Sequence, residues 1–460
     1  MEHYDAIIIG AGQAGVPLAR KLAGAGWKTA LIEKRWVGGT CINDGCTPTK
    51  TLIASARMAY LASRSADWGV PVEGYRVDMP AVKRRKDGMV NDFRNGSQKR
   101  LENTPGLDLL FGNAAFSGPN TLTVHLNDGG RRELHGGKIF INTGTAPRIP
   151  DIPGIGDVPC LTSTTLLDLE GVPGHLVVLG GGYVAAELGQ LYRRLGSRVT
   201  MLARGEALLA REDEDVSAAL RTILEEEGLA VHTGAEVRRV EAGAGGGVKL
   251  HVQLGGEMRE IAGTHLLAAT GRTPLTAGLN LPATGLIPGP EGYLSVNERL
   301  ETEVPGIYAL GDVNGGPAFT HVAYHDYVIV AKNLLEGASL STTGRLVPYC
   351  VYTDPQLGRV GLSEREARAR GCRVKIAKMP MTHVARALET GETRGFMKAV
   401  VDADSHLILG AAVLGADGGE IMSVLQVAML GGLPYQTLQF GVFAHPTFAE
   451  SLNNLFAGIK

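Results

Sequence analysis

Cysteine is scarce in this chain: five in 460 residues, an odd number and mostly scattered. That excludes the dense disulfide framework of a small secreted domain, and a disulfide here reads as chemistry rather than as a staple. An excess of one charge sign is lacking too. Lys and Arg number 45 against 47 Asp and Glu, a formal net charge of −2. No global field argues for nucleic acid or an anionic membrane as partner. Aromatics make up only 5%. The one basic run, Lys83-Arg84-Arg85-Lys86, has none interleaved and reads as a solvated helix face. Long apolar runs are missing as well. The uncharged stretch 421–444 contains Gly431, Gly432, Pro434 and several amides and hydroxyls. That suits a buried interface better than a span of ~20 apolar residues. The opening MEHYD places acids where a secretory leader needs a basic segment. A reducing cytoplasm is the expected address.

Glycine is what the chain has in abundance, 63 residues, about twice the ordinary ~7% share. In a chain with 44% hydrophobic residues, this marks tight turns and close backbone approach to ligands within well-packed domains. Two places organise that glycine. Tyr4-Asp5-Ala6-Ile7-Ile8-Ile9 reads as a buried strand, followed by Gly10-Ala11-Gly12-Gln13-Ala14-Gly15, a helical pattern, and a second strand ending at Glu33. The acid falls twenty-one residues after Gly12. This is the full dinucleotide fingerprint: Gly10 for the turn, Gly12 for pyrophosphate approach, Gly15 for helix–strand packing and Glu33 for a ribose diol. The pattern repeats 170 residues later, with Gly180-Gly181-Gly182-Tyr183-Val184-Ala185 between the strands 175–179 and 198–202. The chain is therefore read as an internal duplication that holds two dinucleotides. In the second copy Ala203 stands where Glu33 stands in the first, Arg204 follows, and Arg211 lies seven residues on. A missing carboxylate with arginines beside it favours a 2′-phosphate, hence NADPH over NADH. The alternative is that both arginines are simply solvated.

The most specific segment is GGTCINDGCTPTK at 38–50. Cys41 and Cys46 lie five apart among glycines, directly after the first nucleotide unit. A disulfide between them closes six residues, worth only about 2 kcal/mol by chain entropy, so stability is a poor reason for it. On a regular helix the two would be too far apart to bridge, and Gly45 permits the needed distortion. Thr47-Pro48 reads as the cap and first turn of a helix, which places Cys46 just before an N-terminus that stabilises a thiolate. The alternatives are two ordinary buried cysteines or half a zinc site. No second Cys/His pair at zinc spacing accompanies them, and no metal site is expected. His321 and His325, at i and i+4 in a helical stretch, have metal-ligand spacing but read rather as core histidines. Cys160, Cys350 and Cys372 read as structural thiols.

The 38–50 segment resembles the redox-active segment of the class I pyridine nucleotide-disulfide oxidoreductases, and the resemblance runs over essentially the whole chain. It implies an α/β protein with two Rossmann-like, three-layer nucleotide-binding domains plus an α+β C-terminal dimerisation domain. The expected boundaries are 1–148 and 272–345 for FAD, 149–271 for NAD(P)H and 346–460 for dimerisation. It further implies that Lys50 pairs with Glu187 beside the flavin and that Asp312 of Gly311-Asp312 holds the cofactor. Gly39, Thr40, Ala115, Thr143 and Gly144 fall at flavin positions. Gly180, Gly182, Tyr183, Arg204, Gly271 and Arg272 fall at nicotinamide-nucleotide or return-strand positions. His445-Pro446-Thr447-Phe448-Ala449-Glu450 matches the C-terminal His-Pro motif, with His445 as acid/base and Glu450 orienting it. By the same resemblance, electrons pass from NADPH, with NADH as the alternative donor, through FAD to Cys46. Cys41 then meets the acceptor, and the histidine comes from the other subunit of a homodimer.

Within the family, VTMLARGEALLAREDEDV and TDPQLGRVGLSE are similar to mercuric reductases, but the chain ends without their vicinal cysteine pair. KIFINTG, GLPY and FAESLNNLF are similar to the reactive-chlorine resistance flavoproteins, which keep both cysteines and the histidine. The expected acceptor is thus a thiol-reactive metal ion, oxidant or small molecule. Dihydrolipoamide dehydrogenase is the runner-up, disfavoured by Ala203-Arg204. A dithiol redox or metal sensor without turnover is a different class of reading; it would need neither His445 nor Glu450.

Overall fold

The computed structural model of the chain describes residues 1–459 and divides into two compact units. The first comprises Met1–Leu52, Pro80–Arg148 and Gly271–Arg345. Its core sheet runs Leu107–Gly118, Thr29–Glu33, Glu2–Ile9, Arg131–Ile141 and Ile307–Ala309, all parallel. The segment Ala6-Ile7-Ile8-Ile9 is buried throughout, as a parallel strand covered on both faces must be. The strand Thr121–Leu126 pairs antiparallel with the two long strands on either side of it in sequence. The helix Gly15–Gly24 packs Leu18, Ala19 and Leu22 on one face of the sheet, beside Ile329 and Val330 of the helix Thr320–Glu336.

The second unit comprises Ile53–Met79, Ile149–Thr270 and Leu346–Lys460. Its parallel sheet runs Ala230–His232, Arg198–Leu202, His175–Leu179, His265–Ala268 and Cys160–Thr162. Four strands of that order repeat the first sheet, while the outermost, Cys160–Thr162, precedes the others in the chain where Ile307–Ala309 follows them; an antiparallel meander, Glu236–Ala242, Val248–Leu254 and Glu257–Gly263, again accompanies it. The duplication read from the glycine motifs is thus a duplication of architecture. The C-terminal part is a five-stranded antiparallel sheet, ordered Tyr349–Val351, Gln356–Gly361, Ile408–Gly415, Phe396–Asp402 and Val374–Pro380, backed by the helix Gly418–Leu430. The fold is the α/β arrangement expected, with two nucleotide-binding folds and an α+β domain at the C-terminus.

Three local expectations need correction. Lys86 of the basic run is not solvated: it is 3% exposed and paired with Asp87 at 2.6 Å. A lysine with a carboxylate beside it can be covered, and the Met79–Glu102 helix turns that face inward. The Pro-rich stretch 147–159 reads in the sequence as a linker, yet it contributes Ile155 and Val158 to the core of the second nucleotide-binding fold. The helix after the cysteines opens at Cys46 itself, because Gly45 already accepts the first helical hydrogen bond, from Thr49 N at 3.1 Å. Among the described residues no helix is long and apolar enough to cross a membrane.

Candidate active site

The nucleotide cradle of the first unit is built at the C-terminal ends of the parallel strands. Gly10 adopts φ +105°, and a Cβ there would lie 2.3 Å from the Asn142 carbonyl oxygen; one on Gly15 would lie 2.1 Å from the Gly10 carbonyl. Only glycine lets the turn and the helix approach this closely. Glu33 closes the second strand with both carboxylate oxygens engaged, accepting from Ala11 N at 2.9 Å and Arg35 N at 2.8 Å. Its carboxylate is therefore held beside the Gly10–Gly15 turn. Across the sheet, Thr145 Oγ1 donates to Asp312 Oδ2 at 3.0 Å and itself accepts from Arg272 Nε at 2.6 Å. Asp312 and Arg272 are thus joined through one hydroxyl. Ala115 is half-buried on Leu107–Gly118, and Gly144 continues the strand end that carries Thr143.

Whether these residues suit a flavin dinucleotide can be tested on one atom. The Thr143 hydroxyl oxygen is buried and has no hydrogen-bond partner. A buried hydroxyl left unpaired costs about 1–3 kcal/mol, so such groups are rare without a ligand to meet them. With the glycine cradle and the placed Glu33 and Asp312, this orphan fits the dinucleotide.

The cysteine pair lies in the same unit. Gly38 takes φ +107° and opens a short helix, Gly39–Asn43, which carries Thr40 and Cys41. Asp44 and Gly45 break it, and Cys46 begins the helix Cys46–Arg64. Asn43 Nδ2 ties the loop to Val37 and Gly39 carbonyls at 3.1 and 2.9 Å, and Arg94 Nε donates to Asn43 Oδ1 at 2.7 Å. An Arg35–Asp44 ion pair closes the outer side. Both cysteines are thiols, and Cys46 Sγ lies 3.4 Å from Thr320 Oγ1. The Cys41 thiol is pushed far above the ordinary range, first by its hydrogen bond to Cys46, then by burial and by the Cys46 charge. Thr320 and Lys50 pull the other way. The pair is asymmetric in exposure: Cys41 is half-buried and Cys46 exposed. Lys50 sits half-buried one turn along the Cys46 helix.

In the second unit, Gly180 adopts φ +131° with its Cα against the Ala269 carbonyl, repeating the Gly10 geometry. Gly182 and Tyr183 are exposed at the start of the helix Tyr183–Arg194. Ala203 is buried, while Arg204 and Arg211 are exposed. Glu187 is 4% exposed and accepts Tyr352 N at 2.8 Å. His445 Nδ1 lies 2.9 Å from Glu450 Oε2 and 3.1 Å from Oε1, so the carboxylate fixes the ring tautomer and leaves Nε2 outward. The histidine side chain is 66% exposed, ready to face another surface. Val427, Leu430, Phe440 and Val442 are exposed apolar residues of the same C-terminal part.

Gly271 falls in the first unit, where its carbonyl accepts Arg148 N at 3.0 Å beside the return strand. Four residues that the motifs did not single out also shape these sites. Asn142, buried, accepts Gly15 N at 2.9 Å and donates to the Leu310 carbonyl at 2.7 Å, locking the glycine turn to the Gly311-Asp312 turn. Asp326 accepts Gly311 N at 2.8 Å and pairs with Arg345 at 2.7 Å. Thr145 and Thr320 complete the set. Asn142 lies inside the KIFINTG segment, so that resemblance was a signal for it. The other three depend on contacts 15 to 274 residues apart, which no local pattern reports. No cluster of three or more His, Cys, Asp or Glu residues poised for a metal occurs among the described residues.

Comparison with known proteins agrees with this geometry. The family model described as pyridine nucleotide-disulphide oxidoreductase matches residues 4–326, and that family's dimerisation domain matches residues 347–456. The "Probable pyridine nucleotide-disulfide oxidoreductase RclA" of Escherichia coli is 39% identical over the full length of both chains. A mercuric reductase of Bacillus cereus is 36% identical, over 98% of this chain and 70% of that enzyme. A dihydrolipoyl dehydrogenase of Thermus scotoductus is 36% identical, over 98% of this chain and 96% of that enzyme. The solved Cu(II) complex of the HOCl-induced flavoprotein disulfide reductase RclA from E. coli superposes with a TM-score of 0.92 at 39% identity, covering all of both chains.

Proposed function

The chain belongs to the pyridine nucleotide-disulphide oxidoreductase family, and on that premise we propose that it uses NADPH and a Cys41–Cys46 disulfide to reduce a thiol-reactive acceptor, either a metal ion or an oxidant. Members of this family use FAD and NAD(P)H. When bound, FAD supplies the two-electron chemistry that links a nicotinamide hydride to sulfur, which side chains alone do not possess. Gly10, Gly12, Gly15, Glu33, Gly39, Thr40, Ala115, Thr143, Gly144 and Asp312 would hold it. Gly180, Gly182, Tyr183 and Arg204 would hold the nucleotide, with Gly271 and Arg272 at the return strand. The FAD parts are 1–148 and 272–345, the nucleotide part 149–271 and the dimerisation part 346–460.

The observation that carries the reading is the geometry of the cysteine pair: Cys41 half-buried on a short helix and Cys46 exposed as the first residue of a long one. When the disulfide opens, Cys46 retains the thiolate, supported by the helix N-terminus and the Thr320 hydroxyl. Cys41 takes the proton. A thiol held protonated is a poor nucleophile, so Cys41 needs a base to react at neutral pH. His445, held by Glu450, supplies it from the second subunit of a homodimer. Cys41 sulfur then attacks the acceptor, and His445 carries the released proton to the leaving group. Attack of Cys46 on the Cys41 adduct re-forms the disulfide and expels an acceptor that takes two electrons, such as Hg(II) or hypothiocyanous acid; Cu(II), which takes one, would be consumed two per disulfide formed. Lys50 and Glu187 are assigned to the charge balance around this centre.

The metal-or-oxidant class rests on the likeness to mercuric reductases and to a reductase described as HOCl-induced and solved with Cu(II). The test is a panel of Hg(II), Cu(II), hypothiocyanous acid, small disulfides and lipoamide, offered to the holoenzyme with NADPH and with NADH. Turnover of a metal ion or oxidant with NADPH, abolished in both Cys41→Ser and Cys46→Ser, is the expected result. Intact turnover in either serine variant would refute the mechanism. Fast lipoamide turnover with NADH would instead make the chain a dihydrolipoyl dehydrogenase.

A further inference from the structure

The loop that carries Arg204 and Arg211 is not held by its own domain alone. It follows the strand Arg198–Leu202 and closes on the second glycine turn, where Leu209 N donates to the Gly181 carbonyl at 2.8 Å. Leu209 does so at φ +46°, a left-handed conformation that a leucine adopts only when its surroundings impose it. The residues just after it are held by the C-terminal part of the same compact unit. Arg365 Nη2 donates to the Ala210 carbonyl at 3.1 Å and lies 3.4 Å from the Arg211 carbonyl. Asp213 accepts Glu364 N at 3.0 Å and Arg365 N at 3.1 Å, and it pairs with Lys398 at 3.1 Å. Lys398 is only 4% exposed and also pairs with Glu364 at 2.9 Å and Asp215 at 3.2 Å. Between these points the buried Glu212 pairs with Arg359 at 3.2 Å and accepts the Tyr349 hydroxyl.

Glu212 and Asp213 are thus consumed by this clamp, and the arginines are left over. Neither Arg204 nor Arg211 has a carboxylate partner among the described residues, and both are exposed. Glu206, exposed two residues from Arg204, turns its carboxylate toward Gly234. A loop with Glu212 and Asp213 turned inward onto Arg359 and Lys398, and two guanidiniums turned outward, is arranged for an anion. Its backbone is fixed, so little ordering entropy is left to spend on binding.

We propose that Arg365 and Lys398 are positioning residues that hold the 204–213 loop so that Arg204 and Arg211 read the 2′-phosphate of NADPH. Nucleotide choice is then set jointly by the nucleotide-binding fold and the C-terminal domain. The inference rests on the NADPH reading above and adds residues about 150 to 200 positions downstream that touch no nucleotide.

The test is steady-state kinetics of the holoenzyme with both nucleotides. Arg365→Ala removes the carbonyl clamp and leaves every buried pair in place. It is expected to raise KM for NADPH about fivefold or more, with kcat and the KM for NADH unchanged. Lys398→Met is expected to act in the same direction and more strongly. Trypsin cleavage after Arg211 should also quicken in Arg365→Ala, reporting the freed loop without any nucleotide. Equal increases in KM for both nucleotides would reduce Arg365 to a structural residue and overturn the proposal. So would an unchanged ratio in Arg365→Ala while Arg204→Ala collapses it. An unchanged ratio in Arg204→Ala would instead overturn the NADPH reading itself.

Discussion

The Thr143 hydroxyl makes the sharpest prediction, because one substitution should move two observables in opposite directions. Thr143→Val keeps the shape of the side chain and removes only the oxygen. In the protein without cofactor that oxygen is buried and unpaired, so its removal relieves a desolvation cost of about 1–3 kcal/mol. The apoprotein should therefore melt no lower than wild type, and higher if neighbours do not rearrange. With FAD bound, the same hydroxyl is assigned a hydrogen bond to the cofactor. Losing a neutral hydrogen bond of net worth about 0.5–1.5 kcal/mol weakens FAD binding by about 2- to 13-fold, and relief of the apoprotein adds to this. Fluorescence titration of apoprotein with FAD gives the affinity, and scanning calorimetry of the same preparation gives the stability. A variant that binds FAD as tightly as wild type would show that the hydroxyl meets no cofactor. A variant whose apoprotein is clearly destabilised would show that the oxygen already had a partner.

Three further outcomes follow from the geometry. Asn142→Leu strands two buried backbone groups, Gly15 N and the Leu310 carbonyl, at about 1–3 kcal/mol each. It should purify with sub-stoichiometric FAD and unfold at lower urea, and a fully flavinated variant of unchanged stability would refute that role. His445→Gln should lower acceptor turnover about 10²- to 10⁴-fold, the usual worth of a positioned acid/base. Glu450→Gln, which retains a hydrogen-bonding partner for the ring, should cost less; an inverted order would refute the assignment. Asp354 is buried, which raises its pKa, but Arg194 and Arg57 outweigh this and hold the carboxyl below its ordinary value. A depressed folded-state pKa contributes stability that is complete at neutral pH and is lost as pH falls below ~4 toward the folded value. Asp354→Asn should therefore destabilise the protein at pH 7 and flatten its acid-unfolding profile, as followed by circular dichroism.

Much of the fold was legible because its determinants are local. A buried strand, a Gly-x-Gly-x-x-Gly turn and an acid at the next strand end report backbone geometry that no other residues satisfy, and they occur within 32 residues of one another. The same holds for Cys41 and Cys46, whose spacing and glycines announce a distorted helix start. Lys86 shows where local reading fails: a run of four cations looks solvated until Asp87 and the packing of the helix bury one of them. Thr145, Thr320 and Asp326 failed to show for a related reason. Each is an ordinary polar residue whose meaning lies in partners brought close by folding.

By itself, then, the sequence determined the kind of chemistry: two nucleotide folds, a dithiol and a histidine–glutamate pair, each written in residues adjacent along the chain. Tertiary structure alone decided how that chemistry is tuned. It leaves Thr143 with a buried hydroxyl to be satisfied, places Thr320 against Cys46, and sets the cationic side chains of the C-terminal domain against the loop that carries Arg204. The physical reason is range. Backbone conformation is dictated by neighbours in sequence, whereas desolvation and charge pairing depend on whatever the folded chain brings within a few ångströms.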